Sequence, residues 1–382
     1  MQSIYLDNAA TTRPLAALAG VYEAYARGLW QNPSALYAPA VGVQNELNEA
    51  RGLLLSAFGG EESHRCLFTS GGTEGANTVV FRGARGGKQA NYVCGGAEHP
   101  CVEESFKSLY ESGAPVKWVK PDGHGNIAVQ DVLDAVDGHT ALVCVMHVNN
   151  ETGAKNDVAA IAAAVKAKNP RTLFFADGVQ AYLREAAEDA AHIDYYTVSA
   201  HKTHALKGTG ALFYKKGAPL RPYLLGGGQE GALRSGTQNT FGILCFRKAV
   251  EYFLNEKGVA ARLEALRRAF LNELGNVPGM VMVTPNAREK RCSHIVNIAF
   301  EAIRGETLLH TLEAKGIYIS TGAACSSKKG KSRIAKALSL PDTVAEGAVR
   351  VSFSPFNTEE EAAAAAGEMK KEIARLRKFT RK

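Results

Sequence analysis

Lys202 lies in V-S-A-H-K-T-H, residues 198–204, directly after an apolar strand-like run where packing gives a lysine no purpose. Lysine is the side chain that condenses with aldehydes. Earlier, F-F-A-D-G-V-Q at 174–180 places Asp177 at the end of another apolar run. A carboxylate there is costly unless it meets a cation or hydrogen-bond donors. It reads either as a helix N-cap or as the partner of a protonated ring nitrogen. Further upstream, F-T-S-G-G-T-E-G-A-N at 68–77 runs from a strand-like Leu67–Phe68 through Gly71 and Gly72 into a helical pattern, with the Thr73 hydroxyl beside them. Backbone N–H groups at such a start favour an anion. The spacing is neither the P-loop nor G-x-G-x-x-G, so no nucleotide is implied, and alone it is also a plain turn and cap. A phosphate cradle, a carboxylate and a lysine in this order suit pyridoxal phosphate.

Cys325 sits in a Gly-, Ala- and Ser-rich stretch followed by Lys328, Lys329, Gly330 and Lys331. That composition predicts a mobile loop, and the lysines favour thiolate over thiol; on its own the residue also reads as an incidental cysteine. Cys66, Cys94, Cys144 and Cys245 lie in apolar surroundings and read as core. Cys101 is close to His99 and has no assigned role. Cys292, beside Arg291, reads as exposed. Seven cysteines without a C-x-x-C pair argue against a disulfide framework or zinc ribbon and for a reducing cytosol, with no metal site.

Short apolar runs alternating with helical patterns must position these groups. Strands are predicted at 92–94, 116–119, 141–145, 172–176, 195–199 and 210–214, with helices such as 101–112 and 157–168 between them. Uniformly apolar strands separated by helices predict an α/β domain with a mostly parallel sheet covered on both faces. A helix at 259–274, strands near 281–283, 295–300 and 348–352, and a helix near 306–315 predict a smaller α+β domain. The Ala-, Glu- and Lys-rich stretch at 359–378 predicts a surface helix packed on it. The expected division is a large domain at 13–257 and a small one made of 1–12 and 258–382. With 382 residues and 46% hydrophobic content, disorder as the main state is excluded. A net charge of +7 is too mild to imply nucleic acid. The start M-Q-S-I-Y-L-D-N lacks signal-peptide features, and no apolar run approaches the ~18 residues of a membrane span. A cytoplasmic protein is expected.

The chain resembles the cysteine desulfurases, pyridoxal-phosphate enzymes of fold type I. The resemblance rests on motifs spread over nearly its whole length. They are Y-L-D-N-A-A-T-T at 5–12, N-P-S at 32–34, T-S-G-G-T-E at 69–74, E-H at 98–99 and H-V-N-N-E-T-G at 147–153. D-G-V-Q at 177–180, S-A-H-K at 199–202, G-G-G-Q-E at 226–230 and R-S-G-T at 234–237 follow. S-T-G-A-A-C-S-S at 320–327 and V-R-V-S-F at 349–353 complete the set. The resemblance implies that Lys202 bonds the cofactor, Asp177 pairs with its ring nitrogen and Gln180 with its phenolic oxygen, while His99 stacks on the ring. Gly72, Thr73, Ser199 and His201 would hold the phosphate, and Thr237 would reach the phosphate of a neighbouring subunit in a homodimer. Asn150 would touch both cofactor and substrate, and Arg350 would bind the substrate carboxylate through its bidentate fork.

The implied reaction converts L-cysteine to L-alanine. Lys202 removes the Cα proton, the Cys325 thiolate attacks the substrate sulfur, and His99 shuttles a proton. The persulfide then passes to an acceptor protein such as an iron–sulfur scaffold. A selenocysteine lyase or another enzyme of the same superfamily is the alternative; Cys325 argues against an aminotransferase. An inert sulfur-relay protein is opposed by Lys202 and Asp177. Three stretches depart from the pattern: His204–Gly208 after the lysine, Gly153–Asn156, and the lysines after Cys325 where relatives often carry an acidic residue and proline. These bear on which acceptor docks and on how the loop moves.

Overall fold

The computed structural model describes residues 3–84, 87, 89–186, 189–321 and 333–380. In chain order the strands are β1 (Ile4–Tyr5), β2 (His64–Thr69), β3 (Asn91–Gly95), β4 (Val116–Val119), β5 (Thr140–Cys144), β6 (Leu173–Asp177), β7 (Tyr195–Ser199) and β8 (Gly210–Lys215). Then follow β9 (Met280–Met282), β10 (Ile295–Phe300), β11 (Ile317–Tyr318), β12 (Ser320–Thr321) and β13 (Ala348–Ser352). The α-helices are α1 (Leu18–Ala24), α2 (Ala38–Phe58), α3 (Gly72–Thr78), α4 (Pro100–Glu111), α5 (Val129–Ala135) and α6 (Val158–Lys168). They continue with α7 (Thr240–Asn255), α8 (Val259–Leu274), α9 (Gly305–Glu313), α10 (Arg333–Ala337), α11 (Asp342–Gly347) and α12 (Glu359–Thr380).

Seven strands form one sheet in the order β2-β8-β7-β6-β5-β3-β4. Pairing is parallel from β7 through β6, β5 and β3 to β4, and β8 runs antiparallel to both neighbours. The mostly parallel sheet expected from the sequence is therefore present. Every residue of β3 and β7 is buried, the pattern of strands covered on both faces. Asp177 and Ser199 close the adjacent strands β6 and β7. In open α/β sheets, ligands gather at such carboxyl ends. Two close approaches hold this edge together. A Cβ on Gly178 would lie 1.9 Å from the Tyr196 ring, and one on Gly210 would lie 2.6 Å from the Gly71 Cα, so neither the turn after β6 nor the first residue of β8, packed on the lead into α3, admits a side chain.

A second sheet, β12-β13-β10-β9, is antiparallel. Helices α8 and α12 pack on it through Leu263, Phe270, Ala362, Met369 and Ile373. The buried apolar residues of α12 recur at 362, 365, 366, 369 and 373, one stripe of an amphipathic helix. Burying side chains such as Met369 and Ile373 contributes roughly 1.5–3 kcal/mol each. Strand β1 pairs in parallel with β11, and Leu6 joins the same core. The chain thus begins on a separate two-stranded sheet beside the core of the smaller sheet before entering the larger one. No described helix is long and apolar enough to cross a membrane.

Cys66, Cys94, Cys144 and Cys245 are buried, as expected. Cys292 corrects the expectation of exposure: it is fully buried, packed with Ala9, Val148, Ala181 and Ile295. Its neighbour Arg291 turns away to a two-point ion pair with Glu264 at 2.9 Å, so the charge beside Cys292 says nothing about the face on which the thiol lies.

Candidate functional site

The ends of β6 and β7, the start of α3 and the loops after β3 and β5 surround one cleft. Gly72, Thr73, His99, Asn150, Asp177, Gln180, Ser199, His201 and Lys202 all line it, joined by Cys101, Met146 and Val179. Thr237 lies elsewhere, in a pocket beside Ser70 and Thr209. Cys325 lies outside the described residues.

Lys202 sits in a 3-10 turn after β7. Its Nζ donates to the carbonyls of Ala9 and Ala10 at 2.6 and 2.7 Å. Burial, then the positive charges of Arg184 and Arg350, bring its pKa down to about 7, so a large share of the amine is neutral and nucleophilic at neutral pH. Asp177 is 2% exposed. It accepts the Val179 N–H at 3.0 Å, and no ion pair within 4 Å reaches it among the described residues. Burial pushes its carboxyl up to about 6, against the pull of the Val179 N–H and of Lys202. Glu98 is buried nearby and accepts the Met146 N–H at 2.6 Å. Burial and Asp177 push it to about 8, so it stays largely protonated and Asp177 carries the local negative charge.

At the other end of the cleft, a Cβ on Gly72 would lie 2.7 Å from Val179 Cγ2 and 4.0 Å from Ser199 Cβ. The start of α3 thus lies close against the turn after β6 and the end of β7. His201 Nδ1 lies 3.1 Å from the Thr11 hydroxyl. Burial and Lys202 bring its pKa down to about 4, which leaves a neutral ring. Gln180 Nε2 donates to Ala9 O at 2.9 Å, and its Oε1 accepts from Arg184 at 3.0 Å, which leaves one amide N–H for another acceptor.

Arg350 projects from β13. It donates to Asn150 O at 2.8 Å and to Asp7 Oδ1 at 2.7 Å. Its Nε and Asn150 Oδ1 are buried without partners, and such groups are costly unless something satisfies them. His99 precedes α4, and its Nδ1 accepts the Cys101 N–H at 3.2 Å.

These features fit pyridoxal phosphate: a buried carboxylate without an ion partner, a near-neutral lysine, and unsatisfied polar atoms at the mouth. Sequence reasoning missed four contributors. Arg184 is 4% exposed and contacts both Gln180 and the Lys202 carbonyl; no motif marks it. Asp7 lies within the N-terminal motif, but its ion pair with Arg350 is invisible in sequence. Glu98 appeared only as half of E-H, and Cys101 only as a neighbour of His99.

The aminotransferase class-V family matches residues 4–364. A NifS/IcsS protein homolog of Lactobacillus delbrueckii subsp. bulgaricus is 36% identical, covering 94% of each chain. Cysteine desulfurase 2 of Trichormus variabilis is 34% identical, covering 94% of this chain and 90% of its own. A solved NifS-like protein superposes with a TM-score of 0.87 at 31% identity, over 98% of this chain and all of its own. A structure described as SspA in complex with cysteine has a TM-score of 0.78 at 26% identity, over 93% of this chain and all of its own.

Proposed function

We propose, because the chain belongs to the class-V aminotransferase family and, within it, to the pyridoxal-phosphate-dependent cysteine desulfurases, that its cleft takes the sulfur from L-cysteine and releases L-alanine. The observation that carries this reading is the pairing of a near-neutral Lys202 with a buried Asp177 on neighbouring strand ends. When bound, pyridoxal phosphate supplies an aldehyde carbon for amines and a cationic ring that draws electrons from Cα.

In this reading Asp177 holds the ring nitrogen and Gln180 offers its remaining amide N–H to the phenolic oxygen. Gly72, Thr73, Ser199 and the neutral His201 hold the phosphate. Lys202 is both the covalent anchor and the base that accepts the Cα proton. A lysine pKa of about 7 suits it to take and return a proton at neutral pH. Asn150 and Arg350 receive the substrate carboxylate. The unpartnered Arg350 Nε and Asn150 Oδ1 support this placement, and Asp7 keeps the Arg350 fork in orientation until substrate arrives. His99 covers the ring face.

The sulfur leaves on Cys325: the substrate C–S bond breaks, an S–S bond to Cys325 forms, and the carbon skeleton departs as alanine. An acceptor protein, of which an iron–sulfur scaffold is one kind, then takes the persulfide sulfur. The small domain of 1–12 and 258–382 carries this cysteine, and the large domain of 13–257 carries the cleft. Thr237, lying outside the cleft, supports a homodimer in which it serves the partner's site. The test is to incubate purified protein with L-cysteine, pyridoxal phosphate and a thiol reductant. Sulfide and alanine should form in equal amounts; alanine without sulfide, or neither, refutes the reading.

A further inference from the structure

The way His99 opens α4 decides where its proton sits. The residue is extended, Pro100 takes the first helical position, and the ring caps the helix. Nδ1 accepts the backbone N–H of Cys101 at 3.2 Å, the task usually done by a Ser or Asp side chain. The Cys101 thiol also approaches this nitrogen, at 3.0 Å. A neutral imidazole has one in-plane lone pair on its unprotonated nitrogen, and a protonated nitrogen has none. With two donors aimed at Nδ1, the ring proton must rest on Nε2. Protonating Nδ1 as well would set N–H against N–H and uncap the helix.

The surrounding charges act the same way. Burial, Lys202 and Arg333 bring the His99 ring down to about 4. Burial and Asp177, with Glu98 adding to them against a hydrogen bond with Thr73, push the Cys101 thiol up to about 12. The thiol therefore stays protonated and remains a donor. Nε2 has no partner among the described residues and is not among the fully buried unpaired atoms, and the ring lines the cleft.

We propose that Cys101 is a positioning residue: its backbone N–H and thiol together hold His99 as the neutral imidazole protonated at Nε2, so that His99 acts as a hydrogen donor and a covering ring rather than as a cationic acid. The catalytic part of this statement rests on the desulfurase reading of the cleft; the tautomer does not. It replaces the proton shuttle that the family resemblance implies for this residue with a fixed donor.

The test uses full-length protein with its cofactor bound and its histidine ring nitrogens isotope-labelled. Long-range nitrogen–proton NMR reads each tautomer, and His99→Gln assigns the signal. His99 should show an unprotonated Nδ1 and a protonated Nε2, unchanged from about pH 8 to about pH 5. Cys101→Ala keeps the backbone donor and loses the thiol. Its His99 midpoint should rise by up to about one pH unit, and kcat should fall about three- to tenfold with KM for cysteine little changed. Cys101→Ser restores a side-chain donor and should recover most of both. A protonated Nδ1 at neutral pH, a wild-type midpoint near the ordinary histidine value, or equal midpoints in wild type and Cys101→Ala would overturn the proposal. The expected NMR pattern in a protein that does not turn over cysteine would uphold the tautomer and refute the desulfurase reading instead.

Discussion

Asp177→Asn tests the electrostatics of the cleft floor without reference to turnover. In the cofactor-free protein, burial raises this carboxyl from 3.8 to about 6. The folded state then holds the proton more tightly than the unfolded state does, so this group lowers stability as pH rises from about 4 through about 6. A shift of roughly two units at ~1.4 kcal/mol each makes the loss about 3 kcal/mol above that window. Asn keeps an oxygen for the Val179 N–H but brings an amide group without a partner, which costs about 1–3 kcal/mol at every pH. The variant should therefore be less stable than wild type near pH 4.5, and the deficit should close or reverse by pH 8. Denaturant unfolding of cofactor-free protein at the two pH values measures this. Glu151 also titrates from a raised value, but it does so in both proteins and cancels in the difference; Glu98 is pushed up partly by Asp177, so its repulsion falls on wild type alone at high pH and helps to close the deficit. A deficit of equal size at both pH values would refute the reasoning. With cofactor present the order inverts, because the ring nitrogen loses its counter-charge, and turnover should fall by at least about 100-fold.

Lys202→Ala should abolish sulfide release while the protein stays folded, since the side chain is a reactant more than a packing element; residual release near the wild-type rate in a coupled sulfide assay would move the base elsewhere. Arg350→Lys keeps the charge but not the two-point fork seen with Asn150 O and Asp7, so kcat/KM for cysteine should drop about 10- to 100-fold, chiefly through KM. Cys325→Ser should still change the visible absorbance on adding cysteine but form neither alanine nor sulfide, and labelled sulfur should not stay on the protein; activity retained in this variant would sink the persulfide route.

Lys202 and Asp177 were legible because a charged residue at the end of an otherwise apolar strand has no packing purpose, and strands buried on both faces make such residues conspicuous. The sheet itself was legible for the same reason: β3, β6 and β7 read as short, mostly apolar runs. Burial next to a charge was not legible. Arg291 and Cys292 are neighbours in sequence, yet one reaches Glu264 and the other enters a core of five residues. Long-range pairings were equally hidden. Asp7 and Arg350 are 343 positions apart, and nothing in either local stretch announces the other. Arg184 carries no motif at all; its burial against Gln180 and the Lys202 carbonyl is a tertiary arrangement. Cys101 was noticed for its nearness to His99, but its effect arises from the cap geometry of α4, which sequence spacing alone does not convey.

The carbonyls of Ala9 and Ala10 that hold the Lys202 amine lie a few residues after β1, on a segment that bridges to Ser352 of β13 in the smaller sheet through Asp7. Asp7, which holds Arg350, lies on the same few residues. The N-terminal segment is therefore a strut between two layers, with the reactive amine hung from its middle and the carboxylate receptor braced at its base. The segment that carries these carbonyls is bonded to Ser352 of β13 at Asp7, Asn8 and Ala9 and to the His201 carbonyl at Thr12. Relative motion of the layers thus becomes a chemical signal at the amine, and a lesion in the first dozen residues becomes a lesion of reactivity rather than a trimmed end.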